Sequence, residues 1–271
     1  MSKLKILLLG ATGSIGHSVH KELQDTGHQV TCLARSPVVG ENTFRVVDFS
    51  APVSIENEGI GEDHFDAVVS CMASRTGTPK DAWAVDYQAH ANVLKAAKSA
   101  GIGQFILLSA ICVQKPLLAF QKAKLAFEEE LIKSGLAYSI VRPTAFFKSL
   151  SGQLDRLRQG KKFLLFGDGE LTSCKPISDR DLARFMADCL VDPAKQNQIL
   201  PIGGPGPAIT PLEQGAMLFD LLGEEPHYSR VPVSMMSVII GILGALGLVI
   251  PPLKEKAELA KIGRYYATES M

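Results

Sequence analysis

The chain has 271 residues, enough for one large domain or one and a half. Its 28 Lys and Arg balance its 28 Asp and Glu, and a neutral chain lacks the basic footprint of a nucleic-acid binder. A composition 46% hydrophobic and 21% charged excludes a disordered chain, and Cys32, Cys71, Cys112, Cys174 and Cys189 form no C-x-x-C pair, which excludes a zinc ribbon and suits a reducing cytosol.

The apolar run 6–9 is too short for a signal peptide, whose apolar core needs about 7–15 residues. It reads as a buried first strand. The glycine-bearing turn 10–16 follows, and Val19 and Leu23 mark a helix that stops at Gly27. Further strands are expected at 30–34, 44–47, 67–71, 105–108 and 138–141, with helices over 80–100 and 116–134. Short apolar runs alternating with helices predict an α/β fold, a Rossmann-type doubly wound parallel sheet covered on both faces.

After Pro143 the pattern is less regular. Runs 163–166 and 172–176 flank Gly167-Asp168-Gly169, which reads as a hairpin. Ser178 with Asp181, and Thr210 with Glu213, predict capped helices reaching about residues 190 and 222. Between them, 199–202 predicts the last strand of the main sheet. The expected division is a cofactor-binding core at 1–145 and a smaller C-terminal substrate lobe at 146–271, with segments near 178–222 returning to the main sheet. The stretch 233–250 carries no charge and lies at the lower limit of the roughly 20 residues that span a bilayer. It is expected to be a helix buried in the substrate lobe, with peripheral membrane contact as the alternative.

Gly10-Ala11-Thr12-Gly13-Ser14-Ile15-Gly16 carries the chemistry of a dinucleotide turn. Gly10 makes the tight strand-to-helix turn, Gly13 offers bare backbone to a pyrophosphate, and Gly16 permits close helix packing. The second strand ends at Arg35-Ser36, where an NAD enzyme places an acid against the ribose 2′-hydroxyl. A cation and a hydroxyl suit a 2′-phosphate, so the expected cofactor is NADPH. Asp48 and Phe49 fit the adenine pocket, and Ala73 and Ser74 the riboses. His17 and His20 lie one turn apart, but two histidines without a third ligand make no metal site, and a solvated helix face is expected.

Ser109, Phe120 and Lys124 resemble the short-chain dehydrogenase/reductase superfamily in its atypical branch, where Tyr-x-x-x-Lys works with a serine. Lys124 and Ser109 match as catalytic residues, but Phe120 occupies the tyrosine position and passes no proton to a carbonyl oxygen. A closer resemblance covers LLSAICVQKPLL at 107–118, YSIVRPTAFFKS at 138–149, CKPIS at 174–178, LPIGGPG at 200–206, TPLEQG at 210–215 and IGRYYA at 262–267. Together these motifs are similar to the NADPH-dependent divinyl chlorophyllide 8-vinyl reductases, from about residue 5 to 271.

The resemblance implies a flat magnesium tetrapyrrole as substrate. Hydride on its outer vinyl carbon leaves charge on the macrocycle until a proton completes the ethyl group, so no oxygen-directed tyrosine is needed. It also implies that Lys124 holds the nicotinamide ribose and that Pro143, Thr144 and Ala145 pack by the nicotinamide. Phe146, Phe147, Tyr265 and Tyr266 then wall the pigment. The proton donor stays open among Tyr265, Tyr266, Ser109 and water. A double-bond reductase of the isoflavone-reductase type and a non-catalytic NmrA-like NADP(H) sensor are the alternatives. The transit peptide of plant members is missing, which implies a bacterial cytoplasmic protein, peripheral to the photosynthetic membrane if attached at all.

Overall fold

A computed structural model describes residues 3–40, 43–247 and 250–271. Among the described residues, nine strands form two sheets: β1 Lys5–Leu9, β2 Gln29–Ala34, β3 Phe44–Val46, β4 Ala67–Ser70, β5 Gln104–Leu108, β6 Ala137–Pro143, β7 Phe163–Phe166, β8 Gln198–Ile202 and β9 Tyr228–Val231. The main sheet runs β3-β2-β1-β4-β5-β6-β8, and all its pairings are parallel. This order reverses between β1 and β4, which places a crevice beyond the strand ends at that point. Ile6, Leu7, Leu8 and Leu9 are fully buried, as a central strand covered on both faces requires.

The chain forms two compact units. The first takes residues 1–143 and 178–202 and holds the main sheet. The second takes residues 144–177 and 203–271. In the second, β7 and β9 pair in parallel over a small core of Leu157, Phe163, Leu165 and Phe219. Phe219 meets the Tyr228 ring edge-on at 5.9 Å.

Four expectations are corrected. The hairpin across 167–169 does not form: Gly167 and Gly169 both have positive φ, and the Gly167 amide donates to Val231 O at 3.0 Å. The chain is thereby turned away from itself, β7 takes β9 as its partner, and Cys174 bridges to Ile209 instead. The return to the main sheet ends at Ile202, and helix Pro211–Leu222 packs on β7 through Phe219 in the second unit. His20 is buried against Phe44 rather than solvated. The uncharged helix Val233–Leu246 has no buried residue. Val238 is 60% exposed and Ile242 54%, and the main packing partner of the helix is Pro251–Thr268. Leu248 and Val249 lie outside the described residues. Among the described residues, no helix is long and apolar enough to cross a membrane.

His90 ties the sheet to the helix layer. It lies in helix His90–Ser99, its Nε2 is 2.8 Å from Ser70 Oγ on β4, and its Nδ1 is 2.8 Å from Val85 O. Burial, and secondly the Lys124 ammonium, push the imidazole down to about 4 from its ordinary 6.5. Between those values the unfolded chain binds a proton that the native state refuses, so stability falls as pH drops through that window. Urea unfolding between pH 7 and pH 4 should show this slope, and His90→Asn should flatten it. An identical slope in the variant would show that the ring is not held neutral.

Candidate active site

Gly10 follows β1 with φ +76°, and a Cβ there would lie 2.7 Å from the backbone of Cys71 and Met72 after β4. A Cβ at Gly16 would meet Gly10 O at 2.0 Å. Backbone cannot rotate aside, so both positions demand glycine. The Gly13 amide donates to Gly10 O at 3.0 Å, and helix Ser14–Asp25 starts from that turn without a side-chain cap. The helix dipole gives the turn a positive end.

These strand ends open onto a cavity of about 840 Å³. It is lined by Gly10, Thr12, Gly13, Arg35, Ser36, Asp48, Phe49 and Ala73 from the expected set. Ser14, Ile15, Gly16 and Ser74 are not among its lining residues. Asp48 Oδ1 accepts from the Ser50 hydroxyl at 2.7 Å and amide at 2.8 Å, which hold its carboxyl below the usual range. The Phe49 carbonyl accepts from Asn92 at 2.8 Å.

Arg75 is a second cation on the cavity wall, and sequence reasoning missed it. The available signal was a second arginine one residue beyond Ala73-Ser74. Asp81 stands nearby: burial acts to raise its carboxyl, but the Thr76 amide and hydroxyl, the Arg75 amide and the Arg35 charge keep it low. Cys71 also lines the cavity, and burial pushes its thiol up to about 12. It stays protonated and chemically quiet at neutral pH.

Lys124 and Ser109 do not line this cavity. Phe120, Lys124 and Glu128 recur at four-residue spacing along helix Ala119–Lys133, and all three are buried, as one helical stripe should be. Lys124 Nζ sits 3.0 Å from Asp86 Oδ1. The Ser109 hydroxyl donates to Glu128, which also pairs with Arg142. Asp86, Glu128 and Arg142 were not anticipated, since nothing in the local pattern distinguishes a paired buried charge from a solvated one.

Pro143 closes β6 in the first unit, while Thr144 and Ala145 open the second. Thr144 Oγ1 donates to Lys175 O, and Ala145 O accepts from the Ile177 amide at 3.0 Å. A separate cavity of about 280 Å³ in this unit is lined by Tyr266, Phe163, Phe166, Leu171 and others. Phe146, Phe147 and Tyr265 do not line it. Phe147 is exposed, and Tyr265 is buried with its ring edge-on to Tyr266 at 5.7 Å.

The family described as NAD(P)H-binding matches residues 10–193, the stretch that carries the glycine turn and most of the main sheet. The divinyl chlorophyllide a 8-vinyl-reductase of Cucumis sativus is 50% identical over 286 residues, covering 98% of this chain and 68% of its own. That of Zea mays is 49% identical, covering 100% and 72%. Among solved structures, an NADPH-dependent quinone oxidoreductase of Escherichia coli in complex with NADPH aligns with TM-score 0.73 at 19% identity, covering 97% of this chain and 90% of its own. That likeness shows the fold. Identity near one half across essentially the whole chain shows more: the chain belongs to the NAD(P)H-binding family and, by its relatives, to the divinyl chlorophyllide a 8-vinyl-reductases.

Proposed function

We propose that the protein reduces the 8-vinyl group of divinyl chlorophyllide, or of its protochlorophyllide counterpart, to an ethyl group at the expense of NADPH. The observation that carries this reading is 49–50% identity to reductases of that name over 98–100% of the chain. The cofactor fit rests on separate geometry. Gly10 and Gly16 let the strand end and the helix start approach in backbone contact that a side chain would block, and the cavity of about 840 Å³ beside Gly10 falls within the usual range of roughly 300–1,000 Å³ for ligand sites.

Bound NADPH supplies a hydride, and the second hydrogen reaches the substrate as a proton. The turn from Gly10 to Gly16, with Thr12, Gly13, Ser14 and Ile15, holds the pyrophosphate on the helix start. Arg35 and Ser36, with Arg75, take the 2′-phosphate. Asp48 and Phe49 border the adenine, and Ala73 and Ser74 the riboses. Lys124 orients the nicotinamide ribose, and Pro143, Thr144 and Ala145 confine the nicotinamide. Phe146, Phe147, Tyr265 and Tyr266 offer π-faces and edges to the pigment. Phe120 leaves the site without an acid aimed at oxygen, which suits protonation at carbon. Tyr265, Tyr266, Ser109 and water are the candidate proton donors.

Anaerobic incubation with NADPH and divinyl chlorophyllide, followed by pigment chromatography, should yield the 8-ethyl product. Phe120→Tyr should leave that yield roughly intact, and Lys124→Ala should cut it about a hundredfold or more through lost orientation. Failure of the unaltered protein to convert pigment overturns the proposed reaction. Near-normal turnover of the lysine variant removes Lys124 from the site.

Arg35→Asp tests the cofactor. Replacing a cation by an acid at a 2′-phosphate exchanges a charge-assisted contact for repulsion. The ratio of NADH to NADPH dissociation constants should fall about tenfold or more. An unchanged ratio places the phosphate elsewhere.

We further propose peripheral attachment to the photosynthetic membrane through helix Val233–Leu246. Met235, Val238, Ile239, Ile242 and Leu246 are exposed on a helix without a charge, and such a face partitions into the lipid–water boundary. Carbonate washing of membranes from cells containing the protein should release it. Retention until detergent is added overturns this mode of attachment.

A further inference from the structure

Asp86 is buried, 1% exposed, yet its carboxylate is satisfied on one side only. Oδ1 takes Lys124 Nζ at 3.0 Å and the Ser74 amide at 3.2 Å, while Oδ2 is buried with no hydrogen-bond partner among the described residues. A buried ion pair is a weak source of stability, because apolar residues of similar volume hold a fold as well. An acceptor left without a donor detracts further. Stability alone therefore does not account for the arrangement.

The segment carrying Asp86 is the wider π-helical turn Trp83–Ala89, inserted between helices Pro79–Ala82 and His90–Ser99. Such turns break the regular side-chain register of a helix and concentrate at functional sites. Here Ala84, Val85, Gln88 and Ala89 line the 840 Å³ cavity while Asp86 pairs with Lys124. The Ser74 amide binds the same oxygen from the loop whose Ala73 and Arg75 also line the cavity. One carboxylate oxygen thus joins the lysine, the helix wall and the loop after β4.

We infer that Asp86 is a positioning residue, fixing the Lys124 ammonium against the wall of the cofactor cavity. The inference rests on the reading of Lys124 as a cofactor-orienting group. The full-length chain with Asp86→Asn, Lys124→Met and both changes together is titrated with NADPH by nucleotide fluorescence, and thermal midpoints are recorded alongside. Each single change should weaken NADPH binding about tenfold, and the double variant should bind no more weakly than Lys124→Met alone. Full NADPH affinity in Asp86→Asn with only a lowered midpoint overturns the inference, as do independent losses that multiply in the double variant. Should Asp86→Asn fail to fold, Lys124→Met against the double variant still decides: equal affinity supports the inference, and a further loss overturns it. Pigment turnover is not read, so a protein that binds NADPH but leaves the vinyl group intact counts against the proposed reaction only.

Discussion

The carbonyl oxygen of Gly10 is the close contact on which the cofactor cavity depends. It accepts the Gly13 amide at 3.0 Å and leaves no room for a methyl group at Gly16. Helix Ser14–Asp25 can therefore sit directly on the end of β1, the positive end of its dipole placed where the strand order reverses. Were that helix displaced by the width of one methyl, the cavity between β1, β2 and β4 would lose its floor. Residues of the first unit between Arg35 and Ala89 border the space beside this contact.

Charge is used differently inside the sheet-and-helix layer than on the surface. Exposed pairs such as Lys21–Asp25 contribute a few tenths of a kcal/mol at most. The buried pairs Lys124–Asp86 and Arg142–Glu128 gain little net stability once desolvation is counted. They hold four side chains in single positions. Lys124 and Glu128 share one stripe of helix Ala119–Lys133, so one helix face fixes both the lysine and the hydroxyl of Ser109. The fold supports oxidoreductases of many substrates; the pairing along that stripe gives this one its geometry.

The parallel sheet was legible because each buried strand is a short apolar run closed by glycine or a polar turn, a signal that needs no tertiary information. The cavity's glycines and Arg35 were legible for the same reason: their chemistry is local. Arg75 and Asp86 were not, since their significance depends on what the fold brings opposite them. The hairpin expectation at 163–176 failed because Asp-Gly signals a turn but does not say which strand the turned chain will meet. Helix Val233–Leu246 misled in the opposite sense: its apolar sequence reads as burial, but hydrophobicity states what a face avoids and not whether the chain itself covers it. Helix Pro251–Thr268 packs against it without burying any of its residues.

The interleaving of the two units has a consequence for how the chain is made. The seventh strand of the main sheet, β8, arrives after β7, and β7 waits for β9 beyond it. On a ribosome, β1 to β6 can assemble in order, but β7 emerges long before its partner and must remain unpaired while β8 docks elsewhere. Phe163, Leu165 and the edges of β7 are then exposed apolar backbone with no ladder, the kind of segment that non-local pairing leaves open to misassociation. The second unit is thus the late and vulnerable step of biogenesis, and a chaperone acting on nascent chains would find its target there rather than in the nucleotide-binding core.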